Sequence, residues 1–229
     1  MLGTIVNALA IILGALGGVC LKNGIKEQYK KTIMDGIGLS VLIIGIMGGV
    51  KSNNIILVIC SIVIGTMIGE FVGIEDKLDR LGKFLQSKLG GKDSNFSNAF
   101  VTASLIYCVG AMAIVGSLEA GIQHNYETLF AKAILDGISA IVFASTLGIG
   151  VAFSSIAVFL YQGSITLLSS ILSAFLTNDI INEMSAVGGI LIMAIGINLL
   201  ELKQIKIGNM LPAIFVPILY QVVMKCFEI

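Results

Sequence analysis

Eight apolar runs of about twenty residues alternate with short polar segments along the chain. A helix needs about 20 consecutive apolar residues to cross the core of a bilayer. Of the 229 residues, 56% are hydrophobic and 12% are charged, whereas soluble domains carry about 25% charged residues. We therefore predict an all-α polytopic membrane protein with about eight transmembrane helices, at residues 2–21, 32–50, 54–73, 98–118, 130–148, 152–174, 184–201 and 208–227.

Two local patterns refine this prediction. The run at 2–21 has no basic residue before it and no A-x-A site after it, so we interpret it as a transmembrane helix and not as a signal peptide. The division between the two runs within 130–174 is the least marked, because TLGIGVAFSS contains no charged residue.

Basic residues are distributed unequally between the two sides of the membrane. With eight spans, eleven of the fourteen lysines and arginines fall on one side, and Lys51, Lys132 and Lys225 fall on the other. Cytoplasmic loops carry an excess of Lys and Arg. We therefore expect the richer side to be cytoplasmic and both termini to be extracytoplasmic, with the lipid bilayer as the surrounding partner.

Residues 75–90, EDKLDRLGKFLQSKLG, differ from the apolar runs. Leu78, Leu81, Phe84, Leu85 and Leu89 recur at helical spacing, with basic residues between them. The pattern predicts a short amphipathic helix that either lies on the cytoplasmic membrane surface or packs on cytoplasmic loops of the same protein.

One short motif occurs twice, as KTIMDGI at 31–37 and as KAILDGI at 132–138. If each copy lies in a three-span unit, the second unit enters the membrane from the opposite face, which is the pattern of inverted-topology repeats. The sequence then predicts a first three-helix repeat at 1–75, a cytoplasmic amphipathic helix and linker at 76–97, a second, inverted repeat at 98–175, and two additional transmembrane helices at 176–229.

The aspartates of the two motif copies are expected to lie inside the apolar slab. The fifteen uncharged residues that follow Asp35 span only about 22 Å at 1.5 Å per residue. A carboxylate at that depth costs roughly 2.5 to 3.5 kcal/mol, so it should face protein or water. Asp35 and Asp136 are either neutralised by Lys31 and Lys132 one turn earlier, or they bind an ion or substrate in a translocation path. Near opposite membrane faces, they would be too far apart to share one ion.

Other polar residues in apolar surroundings extend the candidate binding site. Asn7, Gln162 and Asn198 either contact a solute or form interhelical hydrogen bonds. Glu70 and Glu119 lie near helix ends, where solvation at the membrane interface is the alternative to binding. Tyr107 is a further polar residue of this kind.

Close helix packing is predicted by small-xxx-small spacing. That spacing occurs at Gly14/Gly18, Gly45/Gly49 and Gly65/Gly69/Gly73. Such glycine-rich helix faces can also pack two copies of a chain together, so we further predict a homodimer. Pro217, in the last apolar run, is expected to kink its helix.

Several classes of function are not favoured. The net charge is zero, so we expect no nucleic-acid partner. Four single cysteines and one histidine do not predict a disulfide framework or a metal site, and we expect no cofactor. The chain has no H-E-x-x-H or G-x-S-x-G motif, and aspartates near opposite faces do not suit an aspartyl dyad. We therefore expect the protein not to be an enzyme.

Several segments together resemble the YdfK/YqgA-type family of bacterial integral membrane proteins. They are MLGTIVNALAIILGALGG, KTIMDGIGLSVLIIGI, GTMIGEFVGIEDKLDRLG, NAFVTASLIYCVGAMAIVGSLEAGI, KAILDGISAIVFASTLGIGVAFS, YQGSITLL and GNMLPA. The resemblance covers nearly the whole chain. The family is a domain of unknown function, so the resemblance implies a multi-pass protein of the bacterial plasma (inner) membrane and supplies no substrate. The positions that look like the family's polar pattern are Asn7, Asp35, Glu70, Glu119, Lys132, Asp136, Gln162 and Asn198.

Two functions from different classes remain as hypotheses. The first is a transporter or channel for a small cation, proton or small solute, assembled as a homo-oligomer, with a dimer expected. The second is a non-transporting membrane scaffold or regulatory partner that acts through the segment 75–90.

Overall fold

A computed structural model of the chain describes residues 1–22, 27–85, 96–108, 111–173 and 175–226. These residues form helices joined by turns and short loops, and no strand occurs among them. In chain order the helices are α1 (Leu2–Lys22), α2 (Glu27–Gly49), α3 (Ile55–Val72), α4 (Ile74–Leu85), α5 (Phe96–Cys108), α6 (Ala111–Ile122), α7 (Glu127–Leu147), α8 (Gly150–Leu167), α9 (Ser169–Leu172), α10 (Asn178–Leu199), a 3₁₀ helix (Ile207–Phe215) and α11 (Val216–Cys226).

The predicted all-α membrane fold is confirmed. Seven helical segments in the described chain are long and apolar enough to cross a membrane, and a bent pair makes an eighth when it is counted as one span. That pair replaces the continuous span predicted at 98–118. It consists of Phe96–Cys108 and Met112–Ile122, whose axes differ by 61°.

The turn between α7 and α8 falls at Gly148. Its φ of 94° and ψ of −165° lie in a region that is essentially limited to glycine. The Gly148 N–H bonds the carbonyl of Ala144 and so closes the last turn of α7. A single glycine therefore marks a boundary that no charged residue marks.

The helices belong to two compact units. Unit 1 comprises Met1–Ile37, Leu78–Cys108 and Met112–Ser169, and unit 2 comprises Gly38–Lys77, Val109–Ala111 and Ser170–Ile229. These divisions do not coincide with the boundaries expected for a three-helix repeat, and the inverted repeat remains a prediction.

Unit 1 is built on a close contact between α1 and α7. A Cβ atom at Gly14 would overlap the backbone carbonyl of Gly137, and one at Gly18 would overlap that of Ile141. Gly3 lies against Leu129, so positions rise together along the two helices, which therefore run parallel. The small-xxx-small spacing of Gly14 and Gly18 thus serves close helix packing.

Helix α8 runs in the opposite direction to α1. Gly163, near the end of α8, lies against Met1. Ile12 and Leu16, farther along α1, share a groove with Ile149 and Ile156 at the start of α8. The beginning of α1 therefore meets the end of α8.

Unit 2 also depends on glycines. Gly65 and Gly69 of α3 lie against the backbones of Ala213 and Asn209 in the 3₁₀ helix. Gly45 of α2 packs on Gly189 of α10. Gly73 has a different role, because it ends α3 with a φ of 67° and leads directly into α4.

Two sequence expectations take a modified form in the structure. The amphipathic helix expected at 75–90 is present as α4 up to Leu85, and residues 86–95 lie outside the described part of the chain. Pro217, which is expected to kink its helix, lies in the first turn of α11, where the 3₁₀ helix gives way to an α-helix.

Candidate functional site

A buried ion pair lies on α7 inside unit 1. Lys132 Nζ is 2.8 Å from Asp136 Oδ2 and donates a 2.9 Å hydrogen bond to Oδ1. The two residues are only 7% and 6% exposed. Asn7, which is fully buried on α1, donates a 3.0 Å hydrogen bond from Nδ2 to Asp136 Oδ2. Three of the residues predicted for the site are thus brought into contact.

The contact between α1 and α7 explains why the short side chain of Asn7 reaches the carboxylate. Gly14 and Gly137 let the two backbones touch. Asn7 is two turns before Gly14 on α1, and Asp136 is the residue before Gly137 on α7. The glycine of the KAILDGI motif therefore belongs to the packing that positions its aspartate.

Unit 1 also contains buried polar atoms that have no partner in the protein. Nine such atoms occur in the described chain, and all except Thr66 Oγ1 belong to unit 1. The atoms in unit 1 are Thr4 Oγ1, Asn7 Oδ1, Ser104 Oγ, the Tyr107 hydroxyl, Ser117 Oγ, Gln162 Oε1 and Nε2, and Thr166 Oγ1. Of these, the Tyr107 hydroxyl lies near the Ser139 side chain, so it is the weakest example. Most buried polar groups in proteins are hydrogen-bonded, so this concentration requires an explanation.

The spacing of these residues places them on common helix faces. Residues three or four apart share one face of an α-helix. The pairs are Thr4/Asn7 on α1, Ser104/Tyr107 on α5, Lys132/Asp136 on α7 and Gln162/Thr166 on α8. Helices α1 and α5 each pack on both α7 and α8. We call these four pairs, together with Ser117 of α6, the polar core of unit 1.

The polar core occupies one end of unit 1. The start of α1 meets the start of α7 at Gly3 and Leu129, and the end of α8 at Met1 and Gly163. Helix α6 joins them there, because Gly121 lies against Thr166. Polar residues therefore extend from Asp136 towards the end of unit 1 at which α1 begins.

The opposite end of unit 1 is packed with apolar residues. Ile11, Ala144, Val151 and Phe96 are fully buried there, and the Phe96 ring centroid is 5.1 Å from that of Phe153. The buried hydroxyls at this end are satisfied within their own helices. Those of Ser145, Ser154 and Ser155 each donate a 2.7 Å hydrogen bond to a carbonyl three residues earlier.

The C-terminal end of α5 lies near the ion pair. Tyr107 and Cys108, the last two residues of α5, are both within electrostatic range of Asp136. The Tyr107 ring also lies 6.3 Å from that of Phe143 on α7. Interrupted helices next to buried charges form the substrate sites of many transporters.

The first copy of the repeated motif has a different environment. Lys31 and Asp35 are both exposed on α2, whereas Lys132 and Asp136 are buried. The seven-residue similarity therefore does not extend to the surroundings of the two carboxylates.

The remaining predicted residues have partners that brace the fold. Glu119 accepts a 2.7 Å hydrogen bond from Thr128 and links α6 to the first turn of α7. Asn198 bonds both the N–H and the carbonyl of Ile205, at 2.8 and 2.9 Å, across the turn after α10. Glu70 lies 3.4 Å from Lys206 and accepts a hydrogen bond from Asn209.

Sequence reasoning missed Glu183 of unit 2. This carboxylate is 3% exposed and accepts hydrogen bonds from Ser52 Oγ at 2.6 Å, Asn53 N at 2.8 Å and Asn54 N at 3.0 Å. It therefore holds the turn that leads into α3. Glu183 stands at the edge of the apolar run 184–201, so nothing in the sequence signals burial.

Thr4, Ser104, Ser117 and Thr166 were also missed, although for three of them a signal exists. Ser104 precedes Tyr107 by three residues. Thr4 precedes Asn7 by three residues and Thr166 follows Gln162 by four, so each shares a face with a predicted site residue.

One protein-family model and two known bacterial proteins each match nearly the whole chain. The family model described as "Protein of unknown function (DUF554)" matches residues 2–222. The chain is 36% identical to the "Uncharacterized membrane protein YdfK" of Bacillus subtilis (strain 168) over 222 residues, which cover 95% of this chain and 94% of that protein. It is 28% identical to the "Uncharacterized protein YqgA" of Escherichia coli (strain K12) over 219 residues, 93% of each chain. No solved structure matches the chain significantly.

Proposed function

The chain belongs to the DUF554 family, and we propose that it is a transporter or channel for a small ion or solute whose path runs through the polar core of unit 1. The expected membership of the YdfK/YqgA-type family is confirmed. The helical spans and the similarity to a membrane protein make the chain a multi-pass membrane protein. Transport is our inference from the interior of unit 1.

The observation that carries the proposal is the set of unpartnered polar atoms in the polar core. Each buried donor or acceptor without a partner costs about 1–3 kcal/mol. A purely structural interior would be expected to avoid this cost. Polar atoms without protein partners are instead suited to hydrogen bonding with water or with a solute that enters the core.

Unit 2 provides an internal comparison. Its buried Ser61 and Ser185 donate 2.7 Å hydrogen bonds to carbonyls of their own helices. Its buried Glu183 and Asn209 are hydrogen-bonded to the backbone of neighbouring segments. The same chain therefore satisfies buried polar groups where they brace the fold, which supports a different role for those of unit 1.

The buried ion pair supports the same role. Ionisable residues within membrane spans are rare, and they commonly mark ion or substrate pathways. Lys132 and Asp136 occupy such a position near the end of α5. The apolar end of unit 1 favours a path that is closed at that end in this conformation.

The test is solute and ion flux in liposomes that contain the purified protein. We expect at least one gradient to dissipate faster than in protein-free vesicles and expect Asp136→Asn to slow it. Ser155→Ala is the matched control, because that hydroxyl bonds its own helix away from the polar core. Wild-type flux equal to that of protein-free vesicles for every probe would exclude transport. A stoichiometric partner lost on deletion of 75–90 would then favour the scaffold hypothesis.

A further inference from the structure

The charges of the polar core balance each other. It contains one carboxylate, Asp136, and one ammonium, Lys132, at 2.8 Å. The other members offer neutral amides and hydroxyls. The polar atoms of the core that have no partner in the protein therefore all belong to uncharged amide and hydroxyl groups.

Gln162 provides most of that capacity. It is fully buried on α8, and neither Oε1 nor Nε2 has a partner in the protein. A primary amide can donate two hydrogen bonds and accept two more. Thr166 lies one turn later on the same face with an unpartnered hydroxyl, and Thr4 adds another from the start of α1.

A cation would be poorly accommodated in this core. The Asp136 carboxylate already interacts with Lys132 and Asn7. A cation placed beside it would also lie close to the Lys132 ammonium, and like charges at such a short distance repel strongly in the low dielectric of a protein interior. The core supplies no second carboxylate to offset that repulsion.

An uncharged solute avoids this electrostatic penalty. Such a solute leaves its hydrogen bonds to water when it enters the core, and the unpartnered amide and hydroxyl groups can replace them. It also needs both donors and acceptors, because Gln162 offers both.

We propose that the polar core of unit 1 binds a small uncharged solute with both hydrogen-bond donors and acceptors, of the amide or polyol class, and that Gln162 is its main anchor. This inference rests on the proposed transport function and narrows its substrate to one chemical class. Lys132 and Asp136 then remain paired and line the site as a neutral unit.

The test uses the full chain in liposomes with two sets of probes. Urea and glycerol fluxes are measured by light scattering after an osmotic step, and potassium, sodium and proton fluxes are measured with potential- and pH-sensitive dyes. We expect urea or glycerol flux above that of protein-free vesicles and no protein-dependent ion flux. Gln162→Leu should lower the solute flux about tenfold, which corresponds to the loss of about 1.4 kcal/mol of solute binding.

The outcomes separate the two proposals. Ion flux without urea or glycerol flux would overturn the uncharged-solute inference and leave the transport function in place. An absence of flux for all probes would overturn both. Solute flux unchanged in Gln162→Leu would overturn the role of Gln162 as anchor.

Three further measurements show whether a lower solute flux in Gln162→Leu comes from the lost amide and not from misfolding. Because the Gln162 amide has no protein partner, Gln162→Leu should unfold at a temperature equal to or above that of the wild type. Thr166→Val, which removes a hydroxyl at nearly constant volume, tests the same helix face and should also reduce solute flux. Ser155→Ala should change flux by less than about twofold, as expected for a site outside the polar core.

Discussion

Lys132 and Asp136 form an ion pair of 2.8 Å within a single helix, and both side chains are buried. A lysine one turn before an aspartate is the weaker order for such a pair on an exposed helix. Burial changes the balance, because either charge alone would be far more costly than the pair. The hydrogen bond from Asn7 to Asp136 links the ion pair to α1. The geometry of the pair therefore depends on how α1 packs on α7.

Removal of the lysine should therefore destabilise the protein strongly. Lys132→Met leaves the Asp136 carboxylate with Asn7 as its remaining side-chain partner. Breaking a buried pair in this way typically costs about 3–5 kcal/mol. We expect a clear fall in the midpoint of thermal unfolding of the detergent-solubilised protein, and partial recovery in the double variant Lys132→Met/Asp136→Leu.

The first motif copy provides the matched control. Lys31 and Asp35 have the same spacing but are exposed. Lys31→Met should lower stability by no more than about 0.5 kcal/mol, the usual range for surface substitutions. Equal effects of Lys31→Met and Lys132→Met would contradict the difference in environment that the structure shows.

This difference also shows what the sequence could predict and what it could not. The positions of the spans follow from local hydropathy, which is why they agree with the structure to within a few residues over most of the chain. Two copies of KxIxDGI have the same local pattern, yet only Asp136 is buried. Burial depends on which helices pack against a segment, and a short motif does not contain that information.

The buried groups of unit 2 illustrate the same limit. Glu183 stands at the end of an apolar run, where an interfacial carboxylate is the ordinary expectation. Its burial depends on the turn at Ser52–Asn54, which is about 130 residues away in the chain. In unit 1, Gln162 and Asn7 could be identified from the sequence as polar residues in apolar surroundings. Only the structure shows that the Gln162 amide has no partner in the protein and that the Asn7 amide donates to Asp136.

Close packing of α1 on α7 predicts a position-specific effect of glycine substitution. Gly14→Ala would place a methyl group against the Gly137 carbonyl and force the helices apart. Overpacking of this kind typically costs about 1–3 kcal/mol. We expect a lower unfolding midpoint and a weakened contact between Asn7 and Asp136, and hence reduced solute flux.

Gly17 is the control for that substitution. It is exposed on the same helix, and a Cβ atom at this position would meet nothing within 4 Å. Gly17→Ala should be neutral or stabilise the protein by up to about 1 kcal/mol, because alanine favours a helix more than glycine does. Similar losses at Gly14 and Gly17 would exclude helix contact as the cause.

Glu183 should be important for stability and not for solute selectivity. Glu183→Ala removes the acceptor for the Asn53 and Asn54 amides and for the Ser52 hydroxyl. Ser52 is half-buried, Asn53 and Asn54 are exposed, and the Asn54 N–H keeps a 3.0 Å hydrogen bond to Ser52 Oγ, so water can replace part of the lost bonding. We therefore expect a loss of about 1–3 kcal/mol in the free energy of unfolding. Glu183→Gln keeps one oxygen acceptor and should lose less.

Asp179 provides a comparison on the same helix. It is an exposed acidic residue in the first turn of α10. Asp179→Ala removes a favourable interaction with the helix dipole, which is worth about 0.3–1 kcal/mol. The expected order of destabilisation, from thermal unfolding, is Glu183→Ala, then Glu183→Gln, then Asp179→Ala. A Glu183→Ala variant as stable as Asp179→Ala would exclude a role for Glu183 in holding the turn.

The distribution of basic residues predicts the orientation of the chain. We expect both termini to be extracytoplasmic and residues 76–97 to be cytoplasmic, because eleven of the fourteen lysines and arginines fall on that side with eight spans. Alkaline phosphatase fused to the C-terminus should therefore be active, and a green fluorescent protein fused there should be dark. Fusions made after residue 90 should show the reverse. A fluorescent C-terminal fusion would contradict the predicted orientation.

The apolar end of unit 1 should act as a barrier to solute. The Phe143 ring lies 6.3 Å from Tyr107, at the boundary between the polar core and the apolar residues that continue towards Phe96. Phe143→Leu removes the ring but keeps an apolar side chain, so the protein should fold while the barrier becomes shorter. We expect faster urea or glycerol flux in liposomes than in the wild type. Phe159→Leu makes the same change at an exposed position of α8 and should leave the flux unchanged. A flux that is unaltered or reduced in a stably folded Phe143→Leu variant would show that the barrier lies elsewhere.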